Sequence, residues 1–102
     1  MKFVYTVRCQ FESDEHVEAW INWLKNRHIA DVIEAGAVSA RLCKMDDLLP
    51  TFEVRYDFAT RSSFEEYEKC HADRLRAEGL ELFHPSKGIT YSRTMGEVLL
   101  SS

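Results

Sequence analysis

Two histidines have the residue type and the spacing best suited to chemistry. Projected at about 100° per residue, His28 falls in one apolar stripe with Val17, Trp20, Ile21 and Leu24, and His71 falls in another with Phe64, Tyr67 and Leu75. An imidazole held between a helix and a sheet must find hydrogen-bond partners, and one poised near neutrality can act as acid, base or metal ligand. The competing reading is a core histidine satisfied by a backbone carbonyl or a tyrosine hydroxyl. Glu68-x-x-His71 has the spacing of carboxylate-bridged metal helices, but those need a second copy and further carboxylates from other helices. The chain carries one copy, so no metal is expected, and Glu68 is placed at the helix edge facing water.

Other constellations lead in different directions. Arg8, Arg41, Glu53, Arg55 and Asp57 share a strand phase with Thr6 and Ser39, and can form a wet sheet face, an ion-paired interface with a second subunit, or a polar ligand chamber. Trp20 and Trp23 read as packing residues. Leu48 and Leu49 sit together in a loop, where adjacent exposed leucines call for a partner surface. Cys9, Cys43 and Cys70 are odd in number and far apart, without paired ligand spacing, which points to small apolar residues in a reduced, cytoplasmic protein. The phosphate-binding, dinucleotide, nucleophile-elbow and zinc-helix motifs are all missing from the sequence.

The elements that must position these residues can be read from periodicity. Phe3, Tyr5, Val7, Cys9 and Phe11 alternate with polar neighbours over residues 3–11, the signature of a strand with one buried face. Ser13 or Asp14 is the expected cap of a first helix, which Gly36 terminates. Val38, Ala40 and Leu42 predict a second strand, and Phe52, Val54, Tyr56 and Phe58 a third, joined by a hairpin loop from Met45 to Pro50. Ser62 with Glu65, or Ser63 with Glu66, is the expected capping box of a second helix ending at Gly79. After a loop over His84 to Gly88 comes a last strand, Ile89 to Met95.

This order is β-α-β-β-α-β, and right-handed crossovers place both helices on one face of a four-stranded antiparallel sheet. The expected class is α+β, ferredoxin-like, with 1–102 as one domain. The Phe52, Val54, Tyr56 and Phe58 side then faces the helices, and Glu53, Arg55 and Asp57 face away. An RNA-recognition domain has the same order but stacks bases on outward aromatics, where this chain has Arg8, Glu53 and Arg55. A net charge of -4 likewise gives no attraction to phosphate backbones or anionic lipid, so neither nucleic acid nor membrane is an expected partner. No apolar run is long enough to span a bilayer.

Several blocks together resemble a known family: Trp20-x-x-Trp23, His28-Ile29, Gly36 to Arg41-Leu42, Arg55-Tyr56-x-Phe58, and Tyr67-x-x-x-His71-Ala72-x-x-Leu75-Arg76-x-Glu78-Gly79-Leu80 with Phe83. They are similar to a family of small bacterial proteins known only as a domain of unknown function. The resemblance spans nearly the whole chain, and its second-helix block is the most specific part. It implies a subunit related to the dimeric α+β barrel group, which includes small monooxygenases, haem-using enzymes and stress-response barrels. It brings over no catalytic residue.

Three functions compete on these grounds. The leading one is a cytoplasmic homodimer, without established catalysis or a cofactor, that binds a small molecule between helices and sheet. Its candidate lining is His28, His71, Tyr56, Trp20 and Arg41. The second is a cofactor-independent oxygenase or isomerase of the barrel type, with His28 or His71 as proton acceptor. The third is a protein-interaction module built on Leu48-Leu49.

Overall fold

In a computed structural model describing residues 1–102, the alternating segments form β1 (Phe3–Phe11), β2 (Ser39–Met45), β3 (Thr51–Phe58) and β4 (Ile89–Glu97). They make one sheet in the order β2-β3-β1-β4, with every neighbouring pair antiparallel. The first helix covers residues 17–34 and the second residues 61–82, and a short 3-10 turn, Pro85–Lys87, leads into β4. Phe11 of β1 packs edge-on against Trp20 of the first helix at 5.4 Å, and Phe58 of β3 against Phe64 of the second at 5.3 Å. Both rings belong to the same strand phase, so both helices cover the same sheet face, as the ferredoxin-like reading requires. Phe52, Val54, Tyr56 and Phe58 are buried beneath them. Each such side chain removed from water contributes roughly 1.5–3 kcal/mol.

The helices depart from regular periodicity, and this moves one expected site residue. Each contains a π-helical turn, Leu24–His28 in the first and Glu68–Ala72 in the second. The Ile29 amide bonds back to the Leu24 carbonyl, so one extra residue enters the turn. The inward positions therefore advance by five rather than four. In the second helix Tyr67 is followed inward by Ala72 and then Leu75, all buried, and in the first Leu24 is followed by Ile29 and Val32. His71, inward on a uniform 3.6 period, is rotated out of the helix-sheet layer.

Element boundaries also differ from expectation in ways that have local causes. The first helix starts at Val17 without a side-chain cap; Ser13 and Asp14 instead lie in the turn before it, where the Asp14 carbonyl accepts from the Val17 amide. Thr60, not Ser62 or Ser63, caps the second helix: its hydroxyl accepts from the Ser63 amide, and the Ser63 hydroxyl accepts from the Thr60 amide. Gly36 does end the first helix. The Ala37 amide bonds to the Val32 carbonyl and the Gly36 amide to that of Ile33, the paired pattern that requires the positive φ of +139° found there. Gly79 ends nothing, and the second helix runs past it to Leu82. Val38, expected inward, precedes β2 and is 62% exposed.

Candidate functional site

Between the helices and the sheet lies a cavity of about 250 Å³. Its sheet side is formed by Tyr5 and Val7 of β1, Val54 and Tyr56 of β3, and Tyr91 and Arg93 of β4. Trp20, Trp23, Leu24 and His28 of the first helix, and Tyr67, Leu75, Arg76, Gly79 and Leu80 of the second, close the other side. The π turns account for much of this lining. Past the Glu68–Ala72 turn the inward stripe passes through Ala72, Leu75, Arg76 and Gly79, which brings a guanidinium inside. In the first helix the turn ends on His28.

The polar groups cluster around phenols and cations. The Arg76 Nη2 donates to both carboxylate oxygens of Glu68, at 2.8 and 2.7 Å, and to the Tyr5 hydroxyl at 3.3 Å. Burial works against the Arg76 charge, but the hydrogen bonds to Glu68 and Tyr5 more than offset it and hold the guanidinium above its usual range. Tyr5 stacks on Tyr56 with centroids 5.9 Å apart and lies 6.2 Å from Tyr67. Burial, reinforced by the neighbouring phenols, raises both Tyr56 and Tyr67 above the ordinary tyrosine range, so both stay protonated. The Tyr91 hydroxyl is occupied, donating to the Phe83 carbonyl at 2.7 Å.

At the helix-helix side, the His28 ring stacks on Trp23 at 4.3 Å with planes 19° apart. Burial lowers the His28 pKa, and Asp31 and Glu78 only partly oppose it, so the imidazole is neutral at pH 7. The ring of Trp23 approaches Gly79 so closely that a Cβ there would lie 2.9 Å from the Trp23 Cη2. Glycine is needed at this position for contact rather than for a turn. Three buried nitrogens have no hydrogen-bond partner in the protein, Trp23 Nε1, His28 Nδ1 and Arg76 Nε, and all three belong to side chains lining the cavity.

The structure thus brings together His28, Tyr56 and Trp20, and separates His71 and Arg41 from them. His71 is half-buried in a polar hollow between the helices with Arg27, Asp31, Glu34, Arg74 and Glu78, and its Nδ1 lies 3.0 Å from Arg74 Nη2. Arg41 is exposed on the opposite sheet face, across from Arg55, because its neighbours Ala40 and Leu42 take the inward phase of β2. On that face Glu53 accepts from Arg8 of the neighbouring strand at 3.1 Å and from Arg55 of its own strand at 2.7 Å, and Asp57 accepts from the Ser39 hydroxyl at 2.9 Å. No three His, Cys, Asp or Glu side chains gather as metal ligands would. The helices are too short or too polar to cross a membrane.

Periodicity alone missed Arg76 and Arg93. A signal for Arg93 was present in the sequence: it shares the phase of Ile89 and Tyr91 in the last strand, so it is a cation on the helix-facing side. Arg76 follows the inward Leu75 and could be placed only once the π turn was known.

The chain matches the family described as "Domain of unknown function (DUF4286)" over residues 2–98 and belongs to it. No curated protein matches it. Among solved structures it is similar to a dimeric ferredoxin-like protein from an uncultured marine organism, at 14% identity and a TM-score of 0.70, covering 99% of this chain and 98% of that one. It is also similar to SnoaB, a cofactor-independent oxygenase from Streptomyces nogalater, at 11% identity and a TM-score of 0.69 over 98% and 95% of the two chains. HapK from Hahella chejuensis is 17% identical with a TM-score of 0.66, over 100% of this chain and 96% of that one. At these identities the likeness establishes the fold.

Proposed function

We propose that this protein is a homodimeric, cytoplasmic small-molecule-binding protein whose ligand, a largely apolar body of aromatic size, occupies the cavity between the helices and the sheet. The observation carrying this reading is the coincidence of the cavity with the buried nitrogens of Trp23, His28 and Arg76 that lack protein partners. A buried unpaired polar atom costs about 1–3 kcal/mol, and three on one cavity fit a site kept for a bound molecule better than a packing layer. The dimeric ferredoxin-like neighbour supports a homodimer, and three free cysteines are in keeping with a reducing compartment.

A small aromatic fragment set, read by thermal shift, tests this with the wild type and Val7→Phe, a change that fills the cavity from its sheet side. Fragments should raise the wild-type melting temperature, as selective binding to the folded state requires, and leave the variant unmoved. Absence of any shift in the wild type, or equal shifts in both proteins, would overturn it.

The neutral His28 on the cavity favours a second reading, a cofactor-independent oxygenase or isomerase in which His28 accepts a proton from the bound molecule. The likeness to SnoaB supports it. Exchange of a ligand hydrogen with deuterated solvent, lost in His28→Gln, is its expected signature.

A further inference from the structure

Resting on the binding-site reading above, we infer that the ligand is a flat organic acid whose carboxylate is held at the Arg76 and Arg93 end of the cavity. The lining contains two guanidiniums and no carboxylate. Glu68, just outside it, neutralises Arg76 through paired contacts of 2.8 and 2.7 Å, whereas Arg93 makes no ion pair. With His28 uncharged, the site is left with one unbalanced positive charge, so an amine or other cation would be repelled and an anion drawn in.

The hydrogen-bonding inventory points the same way. The indole Nε1 of Trp23 and the guanidinium Nε of Arg76 can only donate, and both are buried without a protein acceptor. The Tyr5 hydroxyl already accepts from Arg76, which leaves its own proton to give. Tyr56 and Tyr67 add protonated phenols. A lining with two guanidiniums, an indole N–H and phenols that can donate, and with no carboxylate, is complementary to an oxygen-rich anion, and a guanidinium matches the two oxygens of a carboxylate best. The rest of the lining selects the body: the stacked Tyr5 and Tyr56 rings, Trp20 and Trp23 present apolar, mostly flat surfaces. Arg93 stands exposed on the edge strand β4 at the mouth of the cavity, so the acid group would enter last and stay nearest to water.

Calorimetric titration of the whole protein with 2-naphthoate and 2-naphthamide, a pair alike in shape and different in charge, separates the charge claim from the binding claim. The wild type should bind the acid about tenfold tighter than the amide, a difference of about 1.4 kcal/mol. Arg93→Gln, at an exposed edge position, should abolish that preference by weakening the acid about tenfold more than the amide, and Arg93→Lys should restore most of it. Equal affinities for the two probes in the wild type, or a preference that survives Arg93→Gln, would overturn the assignment of an acid while leaving the cavity a binding site. Binding of neither probe, together with no fragment-induced thermal shift, would instead overturn the binding-site reading itself.

Discussion

At the residue scale, His28 and His71 end in different surroundings although each lies in the π turn of its own helix. Each stands four and seven residues after earlier members of its apolar stripe, yet one ends up stacked on Trp23 beside the cavity and the other in a polar hollow beside Arg74. The pH dependence of stability should carry the mark of His28. Its folded-state pKa lies below its unfolded value because burial disfavours the imidazolium. As pH falls below about 6.5, the unfolded chain therefore takes up a proton that the folded chain refuses. The slope of unfolding free energy with pH is positive wherever the unfolded state binds more protons. The His28 contribution is thus fully present above the unfolded pKa and is lost as pH drops toward the folded one. Urea midpoints measured from pH 7.5 to 5 should fall for the wild type and follow a flatter course in His28→Gln; parallel profiles would mean that the imidazole is hydrated. Tyr56 and Trp20 were legible as inward residues because their elements keep a regular period up to that point. Arg41 was misplaced as a lining residue although its phase, opposite to that of Ala40 and Leu42, already assigned it to the open face.

At the element scale, strand periodicity was the dependable signal and helical periodicity was not. All four strands lie where alternation put them, within two residues, because a register slip would turn every core side chain of the sheet to water. A helix tolerates a π turn without losing its overall amphipathic face, so nothing in a pattern of apolar residues announces one. Gly79 was misread for a related reason: a glycine in a helical pattern resembles a terminator, whereas here it makes room for the Trp23 ring. Two effects then compete in Gly79→Ala. Helix propensity alone would favour alanine by about 1 kcal/mol. Against that, the new Cβ would lie 2.9 Å from the Trp23 Cη2, and this ring is confined by the His28 stack at 4.3 Å and by Phe83 at 5.5 Å. Overpacking of a confined ring costs about 1–3 kcal/mol, so the clash should win. The variant is expected to lose on the order of 1 kcal/mol in chemical denaturation, with a displaced Trp23 emission maximum. A rise in stability would mean that Trp23 swings aside freely and that the Trp23–His28 stack does not fix the cavity wall.

On the scale of the whole molecule, the two faces of the sheet have different uses. One is buried under helices around the cavity; the other is polar, with Arg8 and Arg55 meeting on Glu53 and Ser39 donating to Asp57, while Arg41 stands exposed across from Arg55. Because the paired groups bring their own hydrogen bonds, a second subunit could cover them at lower desolvation cost than unpaired charges would impose. The hairpin loop ties its apolar tip to that face: Asp47 reaches Arg8 at 3.4 Å, and next to it Leu48 is fully exposed while Leu49 is 41% exposed. A leucine projecting into water beside a polar sheet face is best explained by a partner that buries it. The expected assembly is therefore a homodimer in which the open sheet face and the loop meet the second copy. Fully burying a leucine contributes roughly 1.5–3 kcal/mol, so Leu48→Ser with Leu49→Ser should weaken association by at least about tenfold. Because both positions lie outside the hydrophobic core, the monomer fold should persist, as far-ultraviolet circular dichroism can verify. Light scattering across a dilution series from high micromolar to nanomolar gives the dissociation constant of each protein. A wild type that is monomeric at the highest concentration would remove the homodimer, and a double variant that dissociates no more readily than the wild type would place the interface away from the loop.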